Sequence, residues 1–217
     1  MARRLLTLAG MTKHWLAIAL CALGACGKKG DAPKVDIDAA HVSAVNAAIP
    51  ADLKGKIEFE VTSVEDGMRK HKTTYKLAAP KGWKTDGPIP GTLRPADGDM
   101  MGSKTWGQTQ LRVGENCDGA CEKKDWAAVS DKVNFSQFTK GQVEGKVVKD
   151  DKGTNRRTLV FERKPSDFPE HDVAVHVITA WWDPDASKYF TCTAELGVPA
   201  KGLAQAFELA CSKVSVE

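Results

Sequence analysis

Two cysteines stand four positions apart in Asn116–Glu122, NCDGACE. A thiol pair at that spacing can close a small loop disulfide across Asp118-Gly119, supply half of a zinc site, or cycle as a redox pair. Redox motifs of the thioredoxin kind place two residues between the thiols, whereas three lie between Cys117 and Cys121. A zinc site needs further ligands, and no neighbouring Cys or His supplies them. The loop disulfide is therefore the favoured reading, with metal and redox roles as alternatives. His171 and His176 are five apart around an expected strand, so they point to opposite faces and chelate poorly. His176 shares its expected face with Ala174, Ile178 and Ala180, which reads as a hydrogen-bonded histidine at a sheet surface. His41 and His71 read as surface. No Gly-x-Ser-x-Gly, Walker-type loop or His-Glu-x-x-His occurs. Ser103 lacks the flanking pattern of a nucleophile. Asp97, Asp99, Asp150 and Asp151 lack the ligand ladder of a calcium loop. No catalytic residue, metal ligand or cofactor is expected.

Tryptophan is the remaining clue, with six Trp against two Tyr. Trp126 reads as core. Trp83 and Trp106 flank a long irregular stretch. Trp181 and Trp182 are adjacent on a strand, so one faces away from the core. Exposed aromatics mark binding surfaces. Trp83, Trp106, Trp182 and His176 are the candidate ligand-binding residues, against the plainer reading that they fill the core.

A further feature, near the start of the chain, is Cys26. Basic residues open the chain, Trp15–Gly24 (WLAIALCALG) is apolar, and small residues follow, the three parts of an export signal. That apolar core is about ten residues, while a helix needs about 20 to span a bilayer. Met11 can serve as an alternative start. Leu23-Gly24-Ala25-Cys26 resembles the bacterial lipobox, which implies cleavage before Cys26 and its lipidation. Gly27 rather than Asp at the next position implies the outer rather than the inner membrane. Gly27–Val35 then reads as a flexible tether. The expected division is a signal over 1–25, a tether over 26–35 and one globular domain over 36–217. Arg3, Arg4 and Lys13 lie in the leader without any acid, so the remainder is balanced in charge. A balanced domain has no field to steer it onto nucleic acid.

Four cysteines remain beyond Cys26 and the leader, which in an exported chain suggests disulfides. Tyr189–Thr193 predicts a strand with Phe190 and Cys192 on one face. Pro199–Cys211 predicts a helix with Pro in its first turn and Leu203, Phe207, Ala210 and Cys211 on one stripe. A Cys192–Cys211 bridge from strand to helix follows.

The elements that must position these residues begin with a helix over 38–49, capped by Asp36 or Asp38 and ended by Pro50. A hairpin follows over 56–64 and 70–79, with Ile57, Phe59 and Val61 facing inward. Residues 84–104 read as irregular, rich in Gly and Pro. Strands are expected at 105–113, 142–149, 156–163, 172–182 and 188–193, and a helix at 122–138. Turns are placed at 150–155 and 183–186. Strands with helices at start, middle and end predict an α+β domain, a mainly antiparallel sheet covered by helices. Tyr75–Lys84 (YKLAAPKGWK) and the strand, helix and tail of residues 189–216 resemble the PsbP-like α-β-α sandwich family. That resemblance implies a binding or accessory module and carries no catalytic residues to transfer. The expected function is a lipid-anchored, non-enzymatic envelope module. Its partners would be the membrane, through the anchor, and an envelope protein or small ligand. The alternatives are an envelope hydrolase assembled from distant residues and a metal or redox protein using Cys117 and Cys121.

Overall fold

Asp38 starts the first helix, α1 (Ala39–Ala47), by accepting a hydrogen bond from the His41 backbone N–H at 2.7 Å. This satisfies one of the orphan donors of the first turn. Pro50 lies three residues beyond the helix and cannot continue it. The computed structural model describes residues 37–66, 72–115, 135–167, 172–183 and 188–217. All fall within the unit Pro33–Glu217.

Twelve strands follow among the described residues: β1 (Phe59–Asp66), β2 (Thr73–Pro80), β3 (Lys84–Thr85), β4 (Thr92–Arg94), β5 (Gly98–Asp99), β6 (Gly102–Ser103), β7 (Gln110–Glu115), β8 (Gly145–Lys152), β9 (Arg156–Arg163), β10 (Val173–Asp183), β11 (Lys188–Gly197) and β12 (Val214–Val216). A short α2 (Ser136–Thr139) precedes β8, and a 3-10 turn (Val198–Leu203) leads into α3 (Ala204–Ser212). One antiparallel sheet of seven strands runs in the order β3-β4-β7-β11-β10-β9-β8. A smaller one runs β1-β2-β12, and β5-β6 forms a separate ribbon.

The large sheet buries both faces, and period-two alternation decides which residue goes where. Inward, Leu111, Val113, Cys192, Ala194, Val177 and Trp181 meet Phe59, Tyr75 and Leu77 of the small sheet and Phe207 and Ala210 of α3. Outward, Leu159, Phe161, Ile178, Ala180 and Tyr189 pack under Phe135 and Phe138, around α2. A bulge between Val173 and Val175 resets the alternation at the start of β10. Ala174 consequently packs with the inner core, while His176, Ile178 and Ala180 share the outer face.

The helix-covered α-β-α sandwich expected from the sequence is not what forms. The fold is mostly antiparallel β, and the described helices are three short ones. Two physical reasons stand behind the difference. Much of the inner face is covered by a second sheet, which the tail Val214–Val216 completes by pairing with β2. The stretch 84–104 contributes β3 to β6 instead of remaining irregular. Most of the helix expected over 122–138 lies outside the described residues, and Ser136–Thr139 is its described helical part.

Other elements shift by a few residues. The strand expected at 105–113 begins only at Gln110, because Gly107, at φ +61, turns the chain. β8 runs on through Asp150 and Asp151, which were expected in a turn. Asp150 accepts from the Arg157 guanidinium on β9 at 2.7 and 2.9 Å, which keeps the two strands paired. In β1, Val61 is exposed, while Phe59 and Val64 are buried.

Candidate functional site

The sequence Pro80-Lys81-Gly82-Trp83 closes β2 with a turn. The Trp83 N–H donates to the Pro80 carbonyl at 3.3 Å, and Gly82 sits at φ +75, the left-handed position such a turn requires. The turn lifts Trp83 out of the sheet and lays it against Phe207 of α3, ring centroids 5.8 Å apart. Trp83 is half-buried, with one side against the core.

Trp106 reaches the same place from the other side. Asp97 organises its loop, accepting from the Ser103 hydroxyl at 2.6 Å and from the Thr105 hydroxyl at 2.8 Å. Those two hydrogen bonds, with the Ser103 bond the larger cause, hold the Asp97 carboxyl below the ordinary carboxylate range. Ser103 Oγ in turn accepts from the Trp106 N–H at 3.0 Å. The end of β11 braces the loop from behind. Gly197 donates to Thr109 Oγ1 at 2.9 Å, and a Cβ there would lie 2.6 Å from the Trp106 carbonyl oxygen. Only glycine allows that approach.

Trp83 and Trp106 line one cleft of about 830 Å³. Its far wall is the segment Lys54–Glu58, tied to the turn by the Lys81 N–H donating to the Glu58 carbonyl at 2.8 Å. Asn46 of α1 fixes this wall by bonding both backbone groups of Phe59, at 2.7 and 2.9 Å. Lys54, Lys56 and Lys81 rim the cleft. Lys81 pairs loosely with Glu58 at 3.5 Å, and Lys54 and Lys56 have no ion-pair partner among the described residues. Neither indole N–H has a hydrogen-bond partner among the described residues. Trp106 is only 8 % exposed and belongs largely to the inner core, so the arrangement offers the half-buried Trp83 ring, a small exposed part of Trp106, two indole N–H groups without partners and a surplus of positive charge.

The other candidate residues lie elsewhere. Trp182 faces outward on β10 and packs on Tyr189 at 4.5 Å. His176 lies on the outer face too, buried beside the Phe138 ring at 4.8 Å, with its Nδ1 3.8 Å from Glu195 Oε1. Burial first, and the Arg163 charge second, push the His176 imidazole down to about 4. It is therefore neutral at neutral pH, and at that distance it makes neither an ion pair nor a hydrogen bond with Glu195. Cys192 and Cys211 form a disulfide, both fully buried in the inner core. Cys26, Cys117, Cys121, His71, His171 and Trp126 lie outside the described residues. Among the described residues no group of three or more His, Cys, Asp or Glu is placed to hold a metal. No described helix is long and apolar enough to cross a membrane.

Sequence reasoning missed Asn46, Lys54, Lys56 and Lys81. They come from α1, from the connection between α1 and β1 and from the turn after β2, and only the folded chain brings them together. No protein-family model matches the chain, and no curated protein matches it.

Proposed function

We propose that this protein is a lipid-anchored binding module of the bacterial cell envelope. It is tethered through Cys26 and uses the Trp83–Trp106 cleft to hold an envelope ligand. One observation carries this reading: two tryptophans from distant segments line a single cleft with free indole donors and unpaired lysines. Indole faces stack on ring surfaces and favour cations or C–H groups, while lysines attract carboxylates and phosphates. The ligand class that matches both is an acidic sugar or glycopeptide.

The test is a fluorescence titration of the full chain in detergent with a muramyl dipeptide, which carries a sugar ring and a carboxylate. Saturable quenching is expected. It should weaken about tenfold in Trp83→Ala, with a smaller loss in the paired change Lys54→Gln and Lys56→Gln. Unchanged affinity in both variants would sink the cleft as the site. Anchoring is tested separately. Cys26→Ser should release the protein from the membrane fraction and remove the acyl mass, and retention in that fraction would argue against the anchor.

The hydrolase alternative has one observation in its favour, the meeting of His176 and Glu195 in one groove. A base held near 4 is weak at neutral pH, so binding remains the better reading. The redox and metal alternative rests on Cys117 and Cys121 and is decided by intact mass. Loss of four hydrogens with nothing bound would leave no free thiol there.

A further inference from the structure

The outer face of the seven-stranded sheet carries a second concavity, a groove of about 640 Å³. Alternation puts Gln110 and Arg112 of β7, Thr191, Thr193 and Glu195 of β11, His176 of β10 and Arg163 of β9 on this face. Its apolar floor is Ile178, with Phe138 and Val143 alongside.

The charges of this groove are unevenly engaged. Glu195 accepts from Gln110 Nε2 at 2.5 Å, and Glu115 is paired with Lys188 at 2.7 Å. Arg112 and Arg163 are both exposed, and neither has an ion pair or hydrogen bond among the described residues. The other described arginines all have partners: Arg94 with Asp86, Arg156 with the Ser212 carbonyl, and Arg157 with Asp150. Gln110 Oε1 is buried and also unpartnered. His176 adds no charge, since the imidazole is neutral. The groove therefore presents two free guanidinium groups, the Glu195 carboxylate held by the neutral Gln110 amide, the hydroxyls of Thr191 and Thr193, and an apolar floor.

We infer that this groove is a second ligand site, separate from the tryptophan cleft, for a small organic anion. The ligand is a carboxylate or phosphate monoester bearing an apolar group. Its oxygens would lie between Arg112 and Arg163, and its apolar part on Ile178 and Phe138. Guanidinium is the side chain best suited to planar oxyanions, because its fork donates two parallel bonds. Two free arginines, on β7 and β9 at either side of an apolar floor, select for that combination over a neutral apolar molecule.

The inference is tested by calorimetry on the full chain in detergent with three probes of one size: benzoate, phenyl phosphate and benzyl alcohol. Saturable binding of at least one anion is expected, about tenfold tighter than benzyl alcohol. The tighter of the two anions names the source of the oxyanion. Arg112→Gln and Arg163→Gln should each weaken that anion about tenfold, with circular dichroism unchanged. The control change Lys72→Gln, at an exposed lysine that lines neither cleft, should leave it unaltered. Equal binding of benzoate, phenyl phosphate and benzyl alcohol overturns the inference, as does no binding by the wild type. So does anion affinity that survives both arginine variants or is lost in Lys72→Gln. The wild-type comparison stands even where a variant misfolds.

Discussion

His176 shows how one residue couples burial to pH. Its imidazole is buried beside Phe138, with Arg163 as the nearby charge and Glu195 too far to compensate. The folded protein therefore resists protonating it, while the unfolded chain accepts the proton at the ordinary value of 6.5. Between about 4 and 6.5 the unfolded state binds more protons, so stability falls as pH falls through that window. The shift corresponds to roughly 3 kcal/mol, present above the upper limit and lost below the lower one. Urea unfolding at neutral pH and at moderately acid pH should show this loss. His176→Gln should flatten most of it. His41, lowered by burial and then by Lys213, leaves a smaller slope of the same sign. A variant as pH-sensitive as the wild type would refute the assignment. Sequence placed His176 on the correct face with Ile178 and Ala180. It could not see Arg163, which sits on the neighbouring strand.

At the scale of elements, the disulfide and the sheet edges matter most. Cys192 on β11 and Cys211 on α3 clamp the last helix to the sheet across a separation of 19 residues. Closing a loop of that size restricts the unfolded chain and contributes about 3 kcal/mol. The double variant Cys192→Ala and Cys211→Ala should lower the unfolding free energy measured in urea by that amount, with unchanged far-ultraviolet circular dichroism. Loss of less than about 1 kcal/mol would mean that the packing of α3 alone holds the clamp. This bridge was legible because both cysteines fall on apolar faces at strand and helix spacing. The opposite edge, β8, was harder to read. All eight of its residues are exposed, and a bulge between Val147 and Lys149 interrupts its ladder. Lys146, Lys149 and Lys152 and that bulge are features that discourage further strands from adding. The ion pair of Lys149 with Glu208 at 2.5 Å ties the edge to α3.

For the molecule as a whole, Phe207 joins the parts. It meets Phe59 edge-on at 5.2 Å and Trp83 at 5.8 Å, linking α3, the small sheet and the wall of the cleft. Phe207→Ala should cost roughly 3–5 kcal/mol. It should also alter Trp83 fluorescence, because the indole loses its backing. Thermal melting and fluorescence measured together check both outcomes. A stability loss with unchanged emission would separate the cleft from the core.

By itself the sequence determined the local features. The capped first helix, the β1–β2 hairpin, the long central strands and the Cys192–Cys211 bridge are all set by spacing within a few residues or by a shared apolar face. The expected leader and the resemblance to a lipobox at Cys26 rest on the sequence alone. Tertiary structure decided the rest. A second sheet, completed by the tail, took the place expected for helices, because strand pairing depends on partners far away in the chain. The Trp83–Trp106 cleft, its lysine rim and the two unpaired arginines of the outer groove come from separate segments. Local periodicity carries no information about which of those segments meet, since their meeting is fixed by sheet register and by the burial of Phe207 and its neighbours.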